Sequence, residues 1–325
     1  TGNGTGVSTL RMQVSQTMTV TIEGSARFYT DAGGTVGEST SWTITSGALR
    51  TIYLRCPSGS STLNIPNRYL LTHLGSSTAD GWTSGTNAAS LTFTPSQFVN
   101  LLQIRMTGTS TIIGALPAGL TFIRLDGTNI NWTYNGALPT GLTAILFSGA
   151  NINWTWNGAL PAGLTDVYLA GTNINWTWNG ALPAGITGWL YLSGANINWT
   201  WNGALPAGLT LLLFSGANIN WTWNGALPAG LTYVYLSGAN INWTGLDVSG
   251  NGNITTFNLA NHRISKMTDS ELITLFDSMR LRVGGLPATV TIGDYLNWSN
   301  PPQSVIDARN AMMATKGVTT VTLQA

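Results

Sequence analysis

Charge is what this sequence lacks most. Only 8% of its residues are charged, against roughly 25% in ordinary soluble domains. The 13 Lys and Arg residues nearly balance the 12 Asp and Glu residues, leaving a net charge of +1. Lysine occurs only at Lys266 and Lys316. With no basic stripe there is no source for the phosphate attraction that dominates nucleic-acid binding, so nucleic acid is not an expected partner. Cys56 is the single cysteine, which rules out an intrachain disulfide or a cysteine metal site and leaves the compartment open. The two histidines, His73 and His262, stand far apart, and neither sits in an H-E-x-x-H arrangement. There is no G-x-S-x-G nucleophile elbow and no phosphate-cradling G-x-x-x-x-G-K-[ST] loop. No metal or cofactor is implied. No run of about 18 apolar residues occurs, so membrane insertion is not expected. The chain starts at Thr1 without methionine or signal peptide and reads as a processed or excised fragment.

What is present is apolar mass and small polar residues. Hydrophobic residues make up 43% of the 325, including 14 Trp, enough for a full core rather than a disordered chain. That length accommodates two domains, or one domain and a repeat array. Asn, Thr, Ser and Gly must keep the surface wet.

Self-similarity decides between these. From Gly114 one unit, GALPAGLTFIRLDGTNINWTYN, recurs six times, restarting at Gly136, Gly158, Gly180, Gly203 and Gly225. The period is 22 residues, with one extra residue near Gly188 in the fourth unit. In the sixth unit the apolar positions are Leu231, Val234, Leu236, Ala239 and Ile241. That spacing predicts a short strand over 231–236 with alternate residues facing inward. A small residue then allows a turn, and an isoleucine plugs the core.

This is the L-x-x-L-x-L-x-x-(small)-x-L frame, and the chain resembles leucine-rich-repeat proteins in it. GALPAGL is similar to the G-x-L-P-x-x-L segment of some of them, and LPAGLT before a strand looks like the bacterial LPxxL type. The resemblance covers residues 103–265, about half the chain. It implies a solenoid whose strands line one concave face, and it says little about function, since this fold is a general binding scaffold. Gln103-Ile-Arg-Met-Thr-Gly108 reads as an incomplete first coil, and residues 254–264 repeat the strand frame after a variant arc, Gly245-Leu-Asp-Val-Ser-Gly-Asn-Gly. About eight coils at about 4.8 Å each make an array roughly 35–40 Å long.

The flanks are read as caps, because open solenoid ends aggregate. Thr268-Asp-Ser-Glu271 has the form of a capping box, with Leu272, Leu275, Phe276 and Met279 at helical spacing behind it. A strand at 289–292 follows. A helix then opens at Pro301-Pro302 and stops at Gly317, before a last strand over 318–323. Residues 1–98 carry alternating runs such as Met18-Thr-Val-Thr-Ile22 and Thr51-Ile-Tyr-Leu54, separated by turns at Asp31-Ala-Gly-Gly34 and Pro57-Ser-Gly59. The expected architecture is thus an N-terminal β-sandwich-like domain (1–98), a β-rich leucine-rich-repeat-like solenoid (99–265) and a small α/β C-terminal cap (266–325). The N-terminal domain either packs on the solenoid as its cap or hangs on a hinge. Low-charge β domains before such arrays, together with the closing Ala314-Thr-Lys-Gly-Val, also resemble phage tail and bacterial surface proteins.

Two faces can carry function. Between the core positions of the strands lies a column that varies while the rest of the unit barely changes. It comprises Phe122, Arg124, Asp126, Asp166, Tyr168, Trp189, Tyr191, Leu211, Leu213, Tyr233 and Tyr235, and it holds all three charges between Gly114 and Gly245. Such confinement is what a partner-reading site would show; it is also what positions free of packing constraint would show. The other face is Asn-Ile-Asn-Trp-Thr-Trp-Asn. If extended, Ile and both Trp point one way and Asn, Thr, Asn the other. That buries a Trp ladder (Trp154, Trp176, Trp199, Trp221, Trp243) with offset stacking between neighbours, under a grid of Asn153, Thr155, Asn157 and their equivalents. Exposed Trp for sugar stacking, or a Thr/Asn grid ordering water against ice, are the other readings. Asn-Trp-Thr matches a glycosylation sequon six times, which the repeat alone explains.

Asp126 and Asp166 are the one carboxylate pair on the column. Two coils and four residues apart, they would be separated by about 16 Å, whereas an inverting glycosidase pair needs about 6.5–9.5 Å. The expected function is therefore not catalysis. It is extracellular binding, at a cell surface or virion, of adhesin or receptor-binding type, with a glycan or protein as partner. A rigid structural spacer and an ice-binding protein are the alternatives, and a homo-oligomer such as a fibre trimer stays open.

Overall fold

In the computed structural model the described residues are 8–23, 26–32, 34–47, 49–55, 62–65, 70–74, 82–83, 91–106, 110–125, 130–148, 152–171, 173–178, 180–193, 196–201, 203–215, 219–223, 226–236, 240–243, 247–259, 268–281, 289–292 and 299–323. Cys56, the Pro57–Gly59 turn, Gly108, Asp126, His262 and Lys266 lie outside them. The chain is a β-rich parallel solenoid with two helices and forms two compact units, residues 1–155 with 171–173, and 156–170 with 174–325.

The first unit begins with β1 (Ser8–Val14), β2 (Met18–Glu23), β3 (Arg27–Tyr29), β4 (Ser41–Ile44), β5 (Arg50–Arg55), β6 (Thr62–Asn64), β7 (Leu71–Leu74), β8 (Trp82–Thr83) and β9 (Leu91–Phe93). The two alternating runs are strands as expected: β2 buries Met18, Val20 and Ile22 in strict alternation, and Ile52 and Leu54 of β5 are buried. The Asp31 turn forms through its carboxylate, which accepts the amides of Val36 at 2.6 Å and Thr35 at 2.9 Å. Those bonds, the Val36 one foremost, hold the carboxyl below its ordinary pKa. Strands β3, β5, β1 and β7 pair antiparallel, and β4-β2-β6 make a second antiparallel sheet. Phe28 meets Trp42 across the two, ring centroids 6.1 Å apart.

Parallel coils follow in the same unit: β10 (Gln103–Met106), β11 (Ser110–Ile112), β12 (Phe122–Leu125), β13 (Ile130–Tyr134), β14 (Ala144–Phe147) and β15 (Ile152–Trp156). One sheet runs β7-β10-β12-β14 and the other β9-β11-β13-β15. Because β7 pairs with β10 (His73 beside Gln103) and β9 with β11, the N-terminal strands are hydrogen-bonded into both faces of the coils rather than hung on a hinge.

The second unit holds β16 (Asp166–Leu169), β17 (Ile174–Trp178), β18 (Trp189–Leu192), β19 (Asn196–Trp201), β20 (Leu211–Phe214), β21 (Ile219–Trp223), β22 (Tyr233–Leu236), β23 (Asn240–Trp243) and β24 (Thr256–Leu259). Then come α1 (Asp269–Leu281), β25 (Thr289–Ile292), α2 (Gln303–Lys316) and β26 (Thr320–Leu323). Here the sheets are β16-β18-β20-β22-β24-β25-β26 and β17-β19-β21-β23.

Each repeat residue has a physical task. The proline carbonyl accepts the amide of the leucine three residues on, as in Leu142 to Pro139 at 3.2 Å, which closes a turn. That leucine is fully buried in each repeat (Leu120, Leu142, Leu164, Ile186, Leu209, Leu231). The expected strand over 231–236 accordingly begins only at Tyr233, since Leu231 belongs to the turn. The next threonine donates its hydroxyl to the previous coil: Thr121 to Leu102, Thr143 to Thr121, Thr232 to Thr210, Thr255 to Thr232, at 3.0–3.1 Å.

Trp132, Trp154, Trp176 and Trp199 are completely buried. Each indole N–H donates to the glycine carbonyl that opens its own repeat: Gly114 at 3.2, Gly136 at 3.2, Gly158 at 2.9 and Gly180 at 2.9 Å. The expected Trp-on-Trp ladder is corrected by the register. Partners in the first sheet are 22 residues apart (Phe122 with Ala144, Leu211 with Tyr233), but those in the second are offset by two. Trp132 therefore lies opposite Ile152, and Trp199 opposite Ile219. The indoles instead meet phenylalanine edges, Trp132 and Trp154 on Phe147 and Trp199 on Phe214, at 5.5–5.8 Å. The second aromatic is not a core residue either. Trp156 and Trp178 are half-buried and donate to the carbonyls of Ala159 and Ala181 at 3.4 and 3.3 Å. They lie over Gly158 and Gly180 so closely that a Cβ there would collide with the indole, as one at Gly136 would with Tyr134, whose hydroxyl pKa burial raises. This accounts for the glycines at 136, 158 and 180; Gly114 opens the first unit in the left-handed region at φ 81° with open space around it.

The closing elements form as expected. Thr268 and Glu271 exchange the reciprocal bonds of a capping box. Leu272, Leu275, Phe276 and Met279 are fully buried. Gly317 ends α2 in the left-handed conformation at φ 69°. The final strand starts two residues later than the alternation implies, at Thr320. In the variant arc, Asn251 stands where repeats have proline, and its amide donates to the Pro228 carbonyl at 2.6 Å.

Replacing Trp154 by Ala should lower the unfolding free energy by about 3–5 kcal/mol, since it empties core volume and leaves the Gly136 carbonyl without its donor. Chemical denaturation of the variant checks this.

Candidate functional site

The outward residues of the first sheet form rows, because parallel in-register strands bring equivalent positions side by side at about 4.8 Å. In the first unit one row is His73, Gln103, Phe122, Ala144, and the next is Arg105, Arg124, Leu146. Arg105 is nearly buried, and its guanidinium carbon lies 3.8 Å above the centroid of the Phe122 ring. Arg124 and Phe122 are half-exposed. Arg105 is a member of this face that the sequence reading passed over, although the incomplete first coil already placed it in line with Arg124. His73 is half-buried, which lowers its pKa, and its Nδ1 lies 3.0 Å from the Thr72 hydroxyl.

In the second unit one row is Tyr168, Tyr191, Leu213, Tyr235 and Asn258. The other is Trp189, Leu211, Tyr233 and Thr256. All are half-exposed except Trp189, which is 52% exposed. The rings of Tyr168 and Tyr191 stack at 4.2 Å and 20°. Asp166 heads the Trp189 row. Its carboxylate is directed at its own neighbours: Oδ1 accepts the Trp189 amide at 3.1 Å and Oδ2 the Thr165 hydroxyl at 2.9 Å. The structure thus brings Asp166, Tyr168, Trp189, Tyr191, Tyr233 and Tyr235 onto one face of the second unit, and Phe122 and Arg124 onto that of the first.

The opposite face is the Asn/Thr surface. Asn131, Thr133, Asn153, Thr155, Asn175 and Thr177 are exposed, and the completely buried indoles beneath them have no face free for sugar stacking. The offset register sets Thr133 beside Asn153, Thr177 beside Asn198, Thr200 beside Asn220 and Thr222 beside Asn242. Threonine therefore adjoins asparagine across these strand pairs, not threonine.

Among the described residues no group of three His, Cys, Asp or Glu side chains is placed to share a metal ion, and no helix is long and apolar enough to cross a membrane.

Gly188→Ala should drive its Cβ into Asp166 and release the Trp189 amide, lowering stability by about 1–2 kcal/mol. Asp166→Ala should cost a similar amount, and the double variant less than the sum, because both break one contact; thermal unfolding of the three variants reads this. Because the native pKa of His73 lies below the unfolded value, the unfolded chain binds more protons as pH falls through about 6.5. Stability should fall on acidification across that window, and His73→Gln should flatten the slope in a pH series of melting curves. Compared with known proteins, the chain matches no family model and no curated sequence, so a function for this face rests on the residues themselves.

Proposed function

We propose that this chain is an extracellular recognition protein, of the adhesin or phage-tail receptor-binding kind, that holds a cell-surface glycan or protein against the outward rows of its first sheet. One observation carries the reading. Within repeats that otherwise change little, variation concentrates in the two outward rows, where Ala144, Asp166, Trp189, Leu211 and Tyr233 succeed one another at one position. Apart from the buried Arg105 and Ala144, the described residues of those rows are half-exposed or exposed, while the repeated Leu and Ile and the first Trp of each described repeat are buried. Large aromatics at accessible positions are what recognition surfaces enrich, because they offer contact area at low entropic cost. The L-x-x-L-x-L frame supports kinship with leucine-rich repeats, whose strand face commonly serves as a binding scaffold.

A rigid spacer is the second reading, favoured by the sameness of the coils and their threonine-to-carbonyl ladder. Ice binding draws less support, since the offset register breaks the threonine column that a lattice match would use.

Converting Tyr168, Tyr191 and Tyr235 together to Ala should weaken binding at least about tenfold in a glycan-array or cell-surface pull-down assay, with the melting temperature changed little because these side chains are half-exposed. Undiminished binding by a folded triple variant would remove this face as the site.

A further inference from the structure

The rows on the second unit are interrupted at one place, and the interruption has its own support. The repeat opening at Gly180 runs 23 residues to Gly203, where the other intervals are 22. The extra residue makes a bulge: the Thr187 amide still addresses the Thr165 carbonyl 22 residues back, at 3.3 Å, but beyond it Val167 pairs with Leu190, 23 residues on. The next coil then reads from Gly188, whose carbonyl accepts the Thr210 amide at 3.3 Å and hydroxyl at 3.0 Å. Asp166 takes up the Trp189 amide across this bulge. The residues equivalent to Asp166 in other coils are Phe122, Ala144, Leu211 and Tyr233, none of them a carboxylate. The one acidic residue in these rows thus comes just before the one lengthened coil.

We infer that the bulge at Gly188, held by Asp166, builds the anchoring subsite of the outward face, and that its ligand is a neutral saccharide chain. This rests on the recognition role proposed above. Bulges re-aim side chains beside binding sites, and the side chain that leaves this one, Trp189, is 52% exposed. An indole offers a flat apolar face for the C–H side of a sugar ring and an N–H donor for its hydroxyls. In the next row the stacked Tyr168 and Tyr191 rings add aromatic surface. Charge selects the class of sugar. The Asp166 carboxylate is engaged by the Trp189 amide and the Thr165 hydroxyl, and the other outward residues from Tyr168 to Tyr235 are neutral. The subsite therefore has no cation for sulfate, phosphate or uronate groups, and burying such an anion here would go uncompensated. Asp166 acts as a positioning residue: it acts through the Trp189 backbone.

The test is a printed array of neutral hexose and N-acetylhexosamine oligosaccharides beside their sialylated and sulfated counterparts. It is probed with the full chain and with Trp189→Ala, Asp166→Asn, the triple Tyr variant, and a compensated variant that deletes Gly188 and carries Asp166→Leu. The native chain should bind neutral members. Trp189→Ala should bind at least about tenfold more weakly, and the compensated variant should lose as much while keeping its melting temperature. Asp166→Asn should stay within about threefold of native, because its amide oxygen still accepts the Trp189 N–H. Native-like binding by the compensated variant or by Trp189→Ala, or Asp166→Asn as weak as Trp189→Ala, would overturn the subsite. If the triple Tyr variant alone fails, the face stands and the subsite falls; if every variant binds as native, both fall. Binding confined to acidic members, or to no glycan but to a protein of the target surface, would overturn the saccharide assignment.

Discussion

Four described repeats are drawn closed by one hydrogen bond at the border of the apolar core, from the buried indole N–H to the glycine carbonyl that opens the same repeat. A buried indole N–H without a partner is costly, and the glycine carbonyl supplies that partner. Tryptophan suits the position because it supplies core volume and a donor in one side chain. Much of the repeat follows from this bond. Gly136, Gly158 and Gly180 must lack a side chain because the second aromatic lies over each of them, and the leucines fill the space the two strands enclose. The two-residue offset of the second sheet sets Trp132, Trp176 and Trp199 opposite isoleucines, and Trp132, Trp154 and Trp199 meet phenylalanine rings edge-on.

The coil has a matching device on its other side. There the threonine hydroxyl and amide both address the previous coil's carbonyl, so the stacking register is held where the first strand begins. The outward side chains of that strand vary from coil to coil. A scaffold of this kind separates stability from recognition: inner positions repeat because each coil must bury the same volume, and outer ones are free to differ. The lengthened coil breaks that separation, since there the backbone changes as well and a carboxylate is recruited to hold it.

The ends meet a different constraint, the unpaired edge of a parallel sheet. At the N-terminal side antiparallel strands pair into the first sheet through β7, and β9 pairs into the second. At the C-terminal side the repeat motif fades by steps. Asn251 replaces the turn proline and donates to the coil before it, and Ser278 of α1 accepts the Val248 amide at 3.3 Å. The helices then bury Leu272, Phe276, Val305 and Met312, which the solenoid pattern alone would not accommodate.

The sequence by itself determined the solenoid, its period, the inward residues of the first strand, the capping box and the extra residue near Gly188. Each of these is written in local periodicity, which burial and hydrogen bonding translate directly into coils. Tertiary structure alone decided the rest, because it depends on which residues different coils place side by side. The period showed that tryptophans recur, but only the offset register showed that Trp132 and Trp199 lie opposite isoleucines rather than other tryptophans. Composition showed an acid in a variable column, but only the bulge showed that Asp166 is turned toward the Trp189 backbone. Alternation put both aromatics of Trp-Thr-Trp on one side, yet the second is the last residue of its strand, so that Trp156 is half-buried over Gly158 while Trp154 is completely buried.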